Sequence, residues 1–429
     1  MSENLKLVSD LALILISAGI VTIIFKLLKQ PLVLGYIVAG FLVGPHLHIF
    51  PTVTDIAEVE VWSEIGIIFL LFALGLEFSF KKLFSVGSKA FVTASLEIIS
   101  MIAVGALLGF IMGWGIMESI FLGGMLAMSS TTIIIKAFED MKVKNEPFVD
   151  LTMVVLIIQD IVAVVLMVLL STAAASQHSA GKEMMFSILK LAFFLVLWFV
   201  VGIFVIPSFF RKAKKYINDE TLLIISIGLC FGMVMIANNV GFSSALGAFV
   251  IGSILSETIE SERIVELTKS IKDLFGAIFF VSVGMMIDPV VLGQYWKLVL
   301  SLVVITLVLK PIASSASALL AGASLEDSLK TGFTLSQIGE FAFIVASVGV
   351  SLGVMPKHIY PVVVAASVIT TFTTPYWIKA ATPCYKRISQ KMSPTMKYRM
   401  DEYCLLGKKS GNKNWKSIIT YSLPRVLIF

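Results

Sequence analysis

Hydrophobic residues in this chain neither alternate with polar ones at the spacing of a strand nor fall on a single stripe of a helix. They run on in stretches of about 17 to 25 residues, from one end of the sequence to the other. Stretches apolar on all faces, long enough to cross roughly 30 Å of hydrocarbon, are membrane-spanning helices; a barrel would show short segments of alternating polarity. The pattern predicts an all-α integral membrane protein with thirteen spans: 7–28, 31–45, 62–79, 89–112, 117–137, 148–171, 184–210, 220–238, 241–257, 271–288, 296–321, 327–351 and 359–381. Composition agrees. The 429 residues are 58% hydrophobic and 14% charged, with a mean hydropathy of +0.96, outside the range of soluble domains.

Charge then orients the spans. Connections after odd-numbered spans carry Lys81, Lys82, Lys142, Lys144 and the run RKAKK at 211–215, whereas the even ones carry little beyond Lys182, Lys297 and Lys357. By the positive-inside rule the odd loops are cytoplasmic, which puts the N-terminus outside and the C-terminus inside, as expected of a bacterial inner-membrane protein. The net charge of +5 sits mostly in loops and tail, where it reads as membrane orientation and not as nucleic-acid binding. The division expected is a transmembrane part over 1–382 and a basic cytoplasmic tail over 383–429. Cys230, Cys384 and Cys404 show neither a pairing pattern nor metal spacing, and there is no nucleotide loop, metal cluster or nucleophile–base constellation. No cofactor is expected and an enzyme is disfavoured.

A faint repeat runs through the chain. LGYIVAGF at 34–41 resembles LGAFVIGS at 246–253, LLFALGLE at 70–77 parallels FFVSVGMM at 279–286, and SSTT at 129–132 corresponds to SQIGE at 336–340, all displaced by about 210 residues. These pair the second span with the ninth, the third with the tenth and the fifth with the twelfth. An odd number of spans separates each pair, so the second copy is inverted in the membrane. Inverted repeats with interrupted helices are a transporter architecture.

Against this apolar background a few polar residues stand out. Asp160, preceded by Gln159 in MVVLIIQDIVAVVLMVL, lies near the middle of its span, where insertion costs roughly 2.5 to 3.5 kcal/mol and a carboxylate should face a cavity or a partner. Lys310 lies mid-span as well and is the natural partner for Asp160, either as a static ion pair or as a pair that a cation or proton opens. Pro311 follows it and removes an intrahelical bond. The fifth span holds Ser129, Ser130, Thr131 and Thr132; the twelfth holds Ser336, Gln337, Gly339 and Glu340. Each cluster alone reads equally as small-residue helix packing or as a helix break, and their equivalent places in the repeat favour breaks, where half-helix ends present dipoles and free carbonyls. Glu64 and Glu77 read as interfacial, and Glu97 as a deeper residue lining a cavity or subunit contact.

The segments GYIVAGFLVGP, FALGLEFS, AMSSTTIII, LIIQDIVAV, SALGAFVIGSILSE, FFVSVGMMIDP and SQIGEFAF together resemble the monovalent cation:proton antiporter-2 family, in order over residues 1 to about 385, and the QD pair is most similar to its Kef-type potassium:proton branch. The resemblance implies the sodium/proton antiporter fold, with interleaved dimerisation and core helices and two broken crossing helices, working as a homodimer. It implies that Asp160 binds the ion and the proton in turn, that Gln159 stands where many sodium-exchanging relatives have Asn or Asp, that Ser130 to Thr132 form the unwound crossover, and that Lys310 pairs with the carboxylate. Cation ligands would be the Asp160 carboxylate, the Gln159 carbonyl, hydroxyls near 130–132 and water; hard oxygens suit K+, with Na+ next. Kef proteins continue into a cytosolic nucleotide- and glutathione-binding domain. Here the last 47 residues carry ten Lys or Arg and end on an apolar stretch, which reads as a shortened chain or as a tail lying along the membrane surface. Different classes built on the same scaffold are a gated potassium channel and a ligand-sensing membrane subunit.

Overall fold

A computed structural model of the chain describes residues 3–28, 30–47, 52–53, 56–77, 88–143, 146–176, 206–213, 216–240, 242–395 and 404. Over these residues the chain is helical: α1 Glu3–Leu27, α2 Leu32–Val43, α3 Ile56–Glu77, α4 Ser88–Ile111, α5 Ile116–Ala127, α6 Thr131–Met141, α7 Pro147–Ser176, α8 Ile206–Ala213, α9 Asp219–Val240, α10 Ser244–Ser256, α11 Ser261–Met285, α12 Pro289–Gln294, α13 Trp296–Val304, α14 Lys310–Leu320, α15 Leu325–Thr334, α16 Glu340–Ser351 and α17 Ile359–Lys391. Among the described residues eight helical stretches are long and apolar enough to cross a membrane, and α2, α10 and α16 are shorter apolar helices. The expected span at 184–210 lies outside the described residues except for its last five, which open α8.

Two of the expected spans are interrupted. The fifth divides into α5 and α6 around residues 128–130, and the twelfth into α15 and α16 around residues 335–339. The eleventh stays continuous but carries a π-helical turn, Ile305–Leu309, where the Lys310 amide bonds to the Ile305 carbonyl five residues back. Pro311 follows and has no amide proton to give, so the ordinary ladder is already broken here. The extra residue in the turn rotates Lys310 by about 100° relative to a regular helix.

Helix ends follow local chemistry. Ser324 caps α15: its hydroxyl oxygen accepts from the Asp327 amide (3.0 Å), with Glu326 and Asp327 in the first turn, where negative charge suits the helix dipole. Gly322, at φ +84°, turns the chain out of α14 in the left-handed region that a side chain disfavours.

The chain divides into two compact units. The first comprises residues 1–82, 164–294 and 346–364. In it α2 and α3 pack on α11, α3 on α10, and α1 on α2, around Ile14, Ala39, Val43, Ile278, Val281 and Met285. Helices without a hydrophobic driving force between them associate through close backbone approach, which small residues permit. A Cβ on Gly40 would lie 1.9 Å from the Val281 carbonyl oxygen, and one on Gly284 2.0 Å from that of Ile37. Here Glu64, expected at the interface, accepts from Ser244 (2.8 Å), which also accepts from Asn238 (3.0 Å). Glu77 pairs with Lys272 at 3.2 Å in an exposed position.

The second unit comprises residues 83–163, 295–345 and 365–429. Here α4 packs on α5 and on α14, and α14 packs on α15. Gly105 and Gly123 bring α4 and α5 to backbone contact, and Gly332 does the same for α15 against Pro311 and Ser315 of α14.

The α2–α11 contact yields a first prediction. Gly284→Leu forces two backbones apart and lowers the thermal midpoint of the detergent-purified protein, at or above the roughly 1–3 kcal/mol typical of overpacking. Gly232→Ala, whose Cβ would meet nothing within 4 Å, leaves that midpoint unchanged or slightly raised in the same assay.

Candidate ion-binding site

Every site residue expected from the sequence falls in the second unit, around the two helix breaks. The breaks touch. The Gly339 amide donates to the Met128 carbonyl (3.0 Å), the Ser129 hydroxyl donates to the Leu335 carbonyl (3.0 Å), and the Gln337 side-chain amide donates to the Ser130 carbonyl (3.1 Å). This approach requires glycine at 339: a Cβ there would stand 2.5 Å from the Ser129 carbonyl carbon and 2.7 Å from the Ser130 nitrogen.

A helix broken inside an apolar bundle exposes main-chain groups that must find partners. Lys310 supplies the donors. Its ammonium, wholly buried, donates to the Met128 carbonyl at 3.1 Å and to the Gln337 carbonyl at 2.8 Å, one from each break. The eleventh span thus bridges the two interruptions. Among the described residues Lys310 makes no ion pair within 4.0 Å; the ammonium expected against Asp160 lies on the two carbonyls.

Asp160 is half-buried on α7, and its Oδ2 accepts from the Thr131 hydroxyl in the first turn of α6 (3.3 Å). The next hydroxyl, Thr132, donates to Glu340 Oε1 in the first turn of α16 (3.3 Å) in an exposed position. Two carboxylates therefore stand at the starts of the two outgoing half-helices, each held by a threonine, where helix dipoles favour negative charge. Ser130 is turned to a different task, its hydroxyl oxygen accepting from the Ile133 amide (3.3 Å) within its own turn.

Gln159 is buried and occupied at both ends: its Oε1 accepts from the Ser129 amide (3.0 Å) and its Nε2 donates to Glu97 Oε2 of α4 (3.0 Å). Thus one lone pair of the carbonyl expected to meet the cation already serves a main-chain amide of the first break. Gln337 is equally committed, accepting from the Thr374 hydroxyl on α17 (2.8 Å). Ser336 bonds back to the Gly332 carbonyl (2.9 Å). The last helix completes the second break: Ser367 donates to the Ile338 carbonyl (2.7 Å) and Thr370 accepts from the Ile338 amide (3.3 Å).

Ser367, Thr370 and Thr374 are not among the residues the sequence singles out, and Glu97 is expected there only to line a cavity or subunit contact. The signal for the first three was present as TTFTT at 370–374, a hydroxyl run inside an apolar span like the one at 129–132. Glu97 had a span to itself and no neighbour in sequence to point at Gln159.

With this geometry in hand, comparison with known proteins is decisive. Residues 12–381 match the family profile described as sodium/hydrogen exchanger, transmembrane. The chain belongs to that family. It is 30% identical over 382 residues to K(+) efflux antiporter 5 of Arabidopsis thaliana, covering 88% of this chain and 66% of that protein. It is 32% identical over 352 residues to the K(+)/H(+) antiporter subunit KhtU of Bacillus subtilis, covering 81% of this chain and 87% of that one. The chain thus spans just under two thirds of the plant relative's length. The solved structure of the sodium proton antiporter MjNhaP1 from Methanocaldococcus jannaschii superposes with a TM-score of 0.65 at 19% identity, over 90% of this chain and 98% of that one, and shows the shared fold. The resemblance drawn from the motifs is borne out, as is the all-helical antiporter fold.

The contact between the breaks gives a second prediction. Gly339→Ala pushes the Ser129–Ser130 backbone away and breaks the Gly339–Met128 bond. Hydrogen exchange at the amides of 128–131 and 336–340 then speeds up markedly, and stability falls by about 1–3 kcal/mol.

Proposed function

We propose that this family member exchanges a monovalent cation for protons across the membrane, with the two competing for the Asp160 carboxylate, and that K+ is the preferred cation with Na+ next. The observation that carries the reading is the half-buried Asp160, held by Thr131 at the start of a half-helix, beside the point where both crossing helices are interrupted. Main-chain and hydroxyl oxygens gathered at such breaks are the hard ligands an alkali ion requires. The preference for K+ draws on the printed activities of the plant and Bacillus relatives.

The chemistry is exclusion at one seat. A carboxylate that is protonated has lost the charge that attracts a cation, and one that is cation-loaded resists protonation. If the unit changes its access from one side of the membrane to the other only when the seat is filled, cation and proton must travel in opposite directions. With an amide at Gln159 instead of a second acid, one proton per cation is the ratio this arrangement favours. Ser130 and Thr132, with Ser336, Gln337 and Glu340 of the second break, would shape the seat rather than release the ion. On the same proposal the protein works as a homodimer with dimerisation and core helices, its N-terminus outside and its C-terminus in the cytoplasm of a bacterial inner membrane, with a basic tail from 383.

The test uses purified protein in liposomes with an internal pH dye, and K+ or Na+ added outside. Cation-dependent proton movement appears in the unaltered protein and is abolished in Asp160→Asn. Below the carboxylate's own pKa, each unit fall in pH raises the apparent KM for the cation about tenfold, because the proton acts as a competitor. Undiminished exchange in Asp160→Asn, or a KM indifferent to pH, would remove Asp160 from this role.

A further inference from the structure

Glu97 is a wholly buried carboxylate that the exchange scheme does not use. One of its oxygens, Oε2, accepts from the Gln159 side chain (3.0 Å); the other, Oε1, is buried without a hydrogen-bond partner among the described residues. A buried charge left without compensation is costly, so a carboxylate that stays ionised here needs the opposite charge nearby. Glu97 lies on α4 and Lys310 on α14, helices that pack on one another, and Lys310 is likewise wholly buried. Among the described residues no ion pair within 4.0 Å joins them, and the ammonium spends its bonds on the two break carbonyls, so the two charges can act on each other only through space across the α4–α14 contact.

The hydrogen-bond pattern gives Glu97 a second task. An ionised carboxylate only accepts, so it compels the Gln159 amide to present its NH2 to Glu97 and hence its carbonyl to the Ser129 amide. The flipped amide would set oxygen against carboxylate on one side and NH2 against N–H on the other. The residue next to Asp160 is thereby fixed in one orientation, and through it the main chain of the first break.

We propose that Glu97 is a positioning residue of the exchange site: it balances the charge of Lys310 from within the same unit and locks Gln159, so that the ammonium does not draw on Asp160 and the cation can. The proposal rests on the reading of Asp160 as the exchange carboxylate, and it deepens that reading by dividing the two buried acids into one that stays as permanent counter-charge and one that is loaded and unloaded. Its direct consequence is that the strength of cation binding depends on a residue that touches no cation.

The experiment takes full-length protein in liposomes and measures K+-dependent proton movement against K+ concentration. Glu97→Gln keeps an acceptor for the Gln159 amide but deletes the charge. The K+ KM should rise at least about tenfold, because Lys310 then competes for Asp160, while the maximal rate changes far less. In the double variant Glu97→Gln with Lys310→Gln, both charges go and amide donors remain; the KM should return to within about threefold of the unaltered value, a coupling that two independent structural defects would not produce. An unchanged KM in Glu97→Gln, or a double variant whose KM stays as high as that of Glu97→Gln, would overturn the proposal. Should Glu97→Gln not yield monodisperse protein, Lys310→Gln alone decides: with Glu97 left as an extra negative charge the K+ KM falls, and an unchanged or raised KM overturns the proposal. Failure of the Asp160 reading looks different, since it would appear as exchange surviving in Asp160→Asn.

Discussion

An ammonium buried among apolar helices needs acceptors, and an intact helix offers only the second lone pair of carbonyls already serving its own amides. Lys310 meets this requirement with the Met128 and Gln337 carbonyls, which are free only because two helices stop and restart. The dependence runs both ways. The breaks leave main-chain groups that lipid cannot satisfy, and the lysine satisfies one from each. Neither the interruptions nor the buried cation is tolerable alone at this depth; together they form one joint among three helical spans.

The remaining polar groups of the joint follow from completing that account. The second break takes donors and acceptors from Ser367 and Thr370 of α17, and Gln337 spans from Thr374 to the Ser130 carbonyl. The first break takes its acceptor from Gln159. Apolar helices elsewhere in the second unit meet through glycine, as α4 does with α5 at Gly105 and Gly123, where the bond network has no part. The unit therefore combines close van der Waals packing of α4 on α5 with a hydrogen-bonded joint where the two breaks meet.

Much of this was readable from residues alone. Span positions followed from run length, because the bilayer imposes it, and the bounds of α1, α4, α9 and α13–α14 fall within a few residues of the expected ones. Both breaks were legible as hydroxyl and glycine clusters at matching places in a repeat. Partner choice was not. Two opposite charges at mid-span, Asp160 and Lys310, invite pairing on depth alone, but depth says nothing about the direction a side chain faces. The π-turn ahead of Pro311 adds a residue to the helix and redirects Lys310, and carbonyl acceptors have no letter in the sequence. Glu97 was hidden for the same reason: its meaning lies in Gln159, sixty-two positions away.

That arrangement also explains why an amide at 159 suits this site. An acid there would stand against the Glu97 carboxylate, two acceptor-only groups with no proton between them, and the Ser129 amide would have to serve the added charge unaided. An amide has one face of each kind and so can join a carboxylate to an amide. The charge that could have been placed next to Asp160 is set back by one hydrogen-bonded residue, on another helix, where it acts on the buried ammonium through space and on the main chain of the break through Gln159. On the proposed reading, structural charge and working charge thus occupy neighbouring but separate places, and the Asp160 seat would change its occupant without disturbing the contacts that keep the two broken helices together.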